Sequence, residues 1–152
     1  MSTSDEVPFV PDAAAAGVLE GVRVVELADE RAEYAGLLLA GMGAEVIKVE
    51  PPGGAPTRSI GPFVGDTAGP GRSLFFALHN RAKQSVLIDL DDPGQVDRFG
   101  ELIGSADILL ESTDTGYLDD RGLSHQVLGQ RFPHLIRARM TAFGDTGPWS
   151  GF

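Results

Sequence analysis

The chain has 152 residues, 22 acidic against 12 basic side chains for a formal charge of −10, 42% hydrophobic residues and no cysteine. That length suits one domain able to bury about 68 to 70% of its unfolded surface, and the composition favours neither wholesale disorder nor membrane insertion. Disulfides and thiolate chemistry are excluded, an acidic total repels nucleic acid and anionic membranes, and a phosphorylated ligand would need a local basic pocket.

Residues 1–19, with Pro8, Pro11 and the run Ala13 to Gly17, hold too little bulky apolar matter for a core element and read as an N-terminal arm preceding one domain over 20–152. The first ten residues lack the basic start and apolar middle of a signal peptide, and no apolar run approaches the roughly 20 residues of a spanning helix, so a cytoplasmic protein is expected. Val22 to Leu27 predicts a first strand, Arg31 to Met42 a helix that Gly41 or Gly43 can end, and Ala44 to Val49 a second strand. A strand–helix–strand unit of this kind calls for parallel pairing. Glu50 to Arg72 is crowded with Pro and Gly and reads as a long loop, a lid or a surface covered by a partner chain.

Ser73 to His79 is apolar enough for a short buried helix, and Gln84 to Leu90 predicts a third strand buried in the sheet. Asp91-Asp92-Pro93 then reads as a helix start, with Asp91 as the cap, a second acid in the first turn and Pro where a missing N–H costs nothing. Val96, Phe99, Leu102 and Ile103 give that helix one apolar stripe. A fourth strand over Asp107 to Glu111, a short helix over Ser124 to Arg131 and a fifth strand over His134 to Thr141 complete an alternation that predicts an open, doubly wound, mainly parallel α/β sheet of Rossmann type.

Ligands of such sheets bind beyond the carboxyl ends of the strands, here Ala28 to Arg31, Glu50 to Gly54, Leu90 to Asp92, Glu111 to Tyr117 and Ala142 to Gly147. A nicotinamide site would need Gly-x-Gly-x-x-Gly after the first strand. The sequence instead has Ala28-Asp29-Glu30-Arg31-Ala32-Glu33, which would repel a pyrophosphate. Glu50 therefore reads as a solvated strand end. His79, His125 and His134 fall on separate elements, and no His or carboxylate set has metal-ligand spacing, so no metal is expected. Spacing alone predicts a fold and no reaction.

Several phrases, in unbroken order over residues 19 to 148, resemble the family III CoA-transferases (the CaiB/BaiF family). They are Leu19 to Leu27, Gly43 to Glu50, Gly53 to Arg58, Asn80 to Leu90, Ala106 to Glu111, Gly122-Leu123, Pro133 to Ile136 and Gly144 to Pro148. The resemblance implies movement of CoA between carboxylic acids through an aspartyl-CoA thioester, with CoA or acyl-CoA as substrate. The related α-methylacyl-CoA racemases, which exchange a proton beside the thioester carbonyl, are similar too.

In both branches the catalytic aspartate lies downstream of the Gly-Pro pair matched by Gly147-Pro148. The resemblance thus implies that these residues are an N-terminal portion lacking the catalytic group and not competent by themselves, with a homodimer or a C-terminal half on another chain as partner. A non-catalytic scaffolding relative is the alternative. Carried over position by position, the implied CoA-binding residues are Glu30, Arg31, Lys83, Ile88, Leu90, Asp91, Ser112, Thr113, Tyr117, Asp120 and Arg121. Asp91 and Asp120 stand where the family usually has cations, so a weakened or lost CoA pocket is expected, with Arg121, Lys83 and Arg81 as remaining cations.

Overall fold

A computed structural model of the chain describes residues 17–150. Five strands, β1 (Arg23–Leu27), β2 (Glu45–Glu50), β3 (Gln84–Leu87), β4 (Ile108–Glu111) and β5 (Ile136–Arg139), form one sheet in the order β3-β2-β1-β4-β5. Every pairing is parallel. The connecting helices are α1 (Glu33–Gly41), α2 (Leu74–His79), α3 (Pro93–Gly104) and α4 (His125–Arg131), and none among the described residues is long and apolar enough to cross a membrane.

Successive strand residues point to opposite faces, and the two faces are built differently. On one, Val25, Val49 and Leu109 pack with Phe99 and Ile103 of α3, Leu128 of α4 and Leu135. Each such side chain contributes about 1.5–3 kcal/mol when fully buried. The other face begins apolar, with Val24, Val46 and Leu110 against Ala32, Ala35 and Leu39. It then turns ionic.

Glu26 of β1 lies directly opposite Lys48 of β2 in the register, and both are buried beneath α1 together with Glu33 of its first turn. Lys48 Nζ sits 2.7 Å from Glu33 Oε1 and 3.1 Å from Glu26 Oε1. Lys83 Nζ completes the group at 2.7 Å from Glu26 Oε2, donating also to the Glu33 carbonyl at 2.9 Å and to Asn80 Oδ1 at 3.1 Å. Two cations and two anions cancel, which makes charges of this depth tolerable.

Several elements depart from their sequence expectations. β3 is an edge strand with only Val86 partly buried; Ile88 and Leu90, counted in that strand, follow it and carry the burial. α2 forms with no buried residue, because it packs beside α1 at the rim rather than under the sheet. Its Leu74 and Leu78 stay exposed. The cap of α3 is Asp92, which accepts from Gly94 N–H at 2.9 Å, and not Asp91. Most of the arm expected over 1–19 lies outside the described residues, but Leu19 packs on the α1 side and its N–H donates to Met42 O at 3.0 Å.

Gly36 lets α1 approach this polar layer: a Cβ there would stand 1.7 Å from Glu26 Oε2 and 3.0 Å from Lys83 Nζ. Helix propensity alone favours Gly→Ala by about 1 kcal/mol. Gly36→Ala is nevertheless expected to destabilise the fold by on the order of 3 kcal/mol, read as a lower urea midpoint. An unchanged or raised midpoint would show that α1 does not bear on Glu26.

Candidate functional site

The strand order reverses between β1 and β4, so a crevice opens beyond their carboxyl ends. Ala28 and Asp29 leave β1 there, Ser112 and Thr113 leave β4, and Ala55 and Tyr117 help enclose a cavity of about 180 Å³. Ser112 ties the lips together. Its hydroxyl donates to Asp29 Oδ1 at 2.6 Å and accepts the Asp29 N–H at 2.9 Å. Arg31 closes on the same carboxylate, donating from Nη2 to Oδ2 at 2.6 Å and from its backbone N–H to Oδ1 at 3.0 Å. Burial would raise the Asp29 carboxyl, but the bonds from Arg31 and Ser112 outweigh it and hold the group below its ordinary value. Thr113 donates to Glu111 Oε2 at 2.7 Å. With its charges already paired, this slot suits a narrow uncharged chain better than a phosphate.

A second cleft, of about 550 Å³, is lined by Leu90, Asp91, Pro93, Val96, Asp120 and Arg121. Arg121 sits over the Tyr117 ring, its Cζ 3.7 Å from the centroid, and donates to Leu90 O at 3.0 Å and Tyr117 O at 2.7 Å. Its remaining edge pairs with Asp91. Tyr117 lines the smaller cavity and touches Arg121, and burial pushes its phenol above the ordinary value despite Arg121.

Of the residues proposed from the sequence, Arg31, Ser112, Thr113 and Tyr117 gather at the crevice, with Glu30 exposed on its rim. Leu90, Asp91, Asp120 and Arg121 share the cleft. Ile88 belongs to the apolar core. Lys83 is placed elsewhere: its amine is buried among Glu26, Glu33 and Asn80 beneath α1 and offers no surface cation.

Sequence reasoning missed the groups that hold the crevice walls. Lys48 Nζ donates to Ala28 O at 2.8 Å, and Glu33 Oε1 accepts from Thr57 Oγ1 at 2.7 Å. Glu50, read as a solvated strand end, has no exposed surface. Its carboxylate receives Arg58 through two bonds of 2.6 and 2.7 Å, Ala55 N–H at 2.8 Å and Ser85 Oγ at 2.5 Å. The 50–72 segment is thus pinned at its start by Glu50 and contains two short 3₁₀ turns, Pro56–Ser59 and Val64–Asp66. Charged residues inside otherwise apolar strand runs, Glu26 on β1 and Lys48 and Glu50 two apart on β2, were the available signal. No group of three or more His, Cys, Asp or Glu among the described residues is arranged to hold a metal ion.

The sequence model of CoA-transferase family III matches residues 19–152. BbsE, the succinyl-CoA:(R)-benzylsuccinate CoA-transferase subunit of Thauera aromatica, is 37% identical over 130 residues, covering 86% of this chain and 32% of that protein. A succinate–glutarate CoA-transferase of Agrobacterium fabrum is 41% identical over 138 residues, covering 88% and 34%. The crystal structure of a CaiB/BaiF family protein from Brucella suis superposes with a TM-score of 0.82 at 36% identity, over 90% of this chain and 36% of that one. The chain spans about a third of the length of the curated relatives it matches.

Burial raises the Glu50 carboxyl, yet Arg58, Ser85 and the Ala55 N–H overcome this and lower it from 4.5 to about 2. A carboxylate held down in the folded state stabilises it above the ordinary value and loses that contribution as pH falls through the folded one. Stability from Glu50 should therefore be complete above pH 4.5 and lost towards about pH 2. Allowing for solvent around Arg58, the loss is on the order of 2 kcal/mol. Urea titrations across that window should show a steeper acid decline for the parent than for Glu50→Gln; equal slopes would contradict the assignment.

Proposed function

We propose, from the premise that this chain belongs to CoA-transferase family III, that it supplies the nucleotide-fold part of a site that moves CoA between carboxylic acids. Acyl-CoA is then its substrate class. The observation that carries this reading is the crevice at the β1/β4 reversal. It encloses about 180 Å³, its hydroxyls and carboxylates are mutually bonded, and its Tyr117 lies against Arg121, which lines a second cleft of about 550 Å³. An extended ligand could lay a thin uncharged arm in the first and a bulkier end group in the second. The relatives' names describe transfer of CoA to or from benzylsuccinate, succinate or glutarate, which supports dicarboxylic acids as partners for the acyl exchange.

On the family resemblance, the nucleophile of this reaction is an aspartate lying outside these residues, on further polypeptide or on a second chain. The residues described here bind and orient. Asp29 and Ser112 fix the crevice lips, Lys48 holds the Ala28 carbonyl, and Tyr117 holds Arg121 against its ring. A second reading, a non-catalytic pairing relative, draws support from one observation: Arg121 is already satisfied by Asp91 and Lys83 is buried, so neither presents a free charge to a phosphate.

The 152-residue chain, incubated with succinyl-CoA and free glutarate, is expected to give no exchange alone and measurable exchange when the downstream two-thirds of a family member is supplied as a separate chain. Exchange by the chain alone would overturn the external nucleophile. No exchange in the complemented mixture, with both chains folded and associated, would favour the pairing reading.

A further inference from the structure

We propose that the outer faces of α1 and α2 form a two-fold interface whose occupant is the same surface on a second copy of this chain. Tyr34, Leu38 and Met42 follow one another four residues apart along α1 to its C-cap, and Leu74 and Leu78 stand four apart on α2. All five are 42 to 58% exposed. The two rows meet where Tyr34 stands edge-on to His79. Together they leave on the order of 500 Å² of apolar surface in water, the size of patch that marks an interaction site. A stable pair buries about 800 Å² per partner, which the backbone and His79 between the rows bring within reach. None of the five lines the crevice or the second cleft, so the pairing stands or falls separately from the acyl-CoA reading.

Charge and spacing both select a second copy. With a formal charge of −10, two copies repel unless they meet where carboxylates are absent. The one acid of α1, Glu33, is buried and α2 has none, so this face brings no like charges together. Residues four apart also form the ridges that interdigitate when two helices cross at about −50°. With Leu38 on the two-fold axis, Tyr34 falls against the partner's Met42 and Met42 against the partner's Tyr34, an aromatic–thioether contact made twice. The last turn of α1 carries no basic side chain. The same symmetry brings a Tyr34 hydroxyl, a donor, to that carbonyl-rich and negative end of each helix.

Sedimentation equilibrium of the 152-residue chain should show a reversible monomer–dimer equilibrium below about 200 μM. Leu38→Glu sets two carboxylates face to face on the axis and should weaken association at least about a hundredfold, with an unchanged circular dichroism spectrum. Leu38→Lys should do the same, and an equimolar mixture of the two variants should pair again. Leu87→Glu, on the exposed edge strand β3, should leave association as in the parent. A parent that stays monomeric, a dimer that survives Leu38→Glu or is lost in Leu87→Glu, or a charge-swapped mixture that does not pair would overturn the proposal. A monomeric parent that captures the separately supplied downstream part of a family member, and loses it in Leu38→Glu, would assign the ridge to that polypeptide and remove the second copy.

Discussion

The structure turns on charges placed where no water reaches them. Glu26, Glu33, Lys48 and Lys83 lie between the sheet and α1, each almost wholly buried. Burial pushes the Glu26 carboxyl up and the Lys83 amine down, and their mutual attraction pulls both back towards ionisation. Desolvating one such ion costs several kcal/mol, which only close, multiply bonded partners can offset. Here the partners are supplied by four separate stretches of chain: β1, the start of α1, β2 and the turn before β3. The cluster consequently specifies how these stretches assemble more sharply than an apolar patch would, since a slip in register leaves a charge unmatched.

From that layer the geometry reaches the crevice by short steps. Lys48 holds the carbonyl of Ala28, whose neighbour Asp29 bonds Ser112 across the strand reversal. Glu33 holds Thr57, and the same segment brings Ala55 to the cavity wall. Glu50, two residues beyond Lys48 on the same face, gathers Arg58, Ala55 and Ser85. One face of the sheet is thus a polar scaffold running beneath the crevice, while the opposite face supplies ordinary apolar burial through α3 and α4.

Much of the architecture was legible in the sequence because it depends on local periodicity. Apolar runs at Val22 to Leu27 and Ala44 to Val49, the Leu- and Ala-rich stretch between them and the stripe Val96, Phe99, Ile103 all became the elements they predict. What was not legible depends on partners distant in the chain. Lys83 and Glu26 are separated by 57 residues, and Lys83 beside a turn looks like a surface cation until α1 covers it. Asp91 and Arg121 are 30 residues apart; nothing local distinguishes a capping aspartate from one that neutralises an arginine across a cleft. Edge position misled in the same way. The run from Gln84 to Leu90 has the composition of an interior strand, but sheet order leaves one side of β3 without a neighbour.

A double-mutant cycle between Glu26 and Lys83 is the direct test of whether the buried charges act as one unit. Glu26→Gln and Lys83→Met should each cost on the order of 3–5 kcal/mol of unfolding free energy, because each strands an opposite charge in the interior. Together they should cost less than the sum by about 2 kcal/mol or more. Additive losses within about 0.5 kcal/mol would mean that the two residues stabilise the fold independently, and the ionic layer would lose its place as the constraint from which the crevice follows.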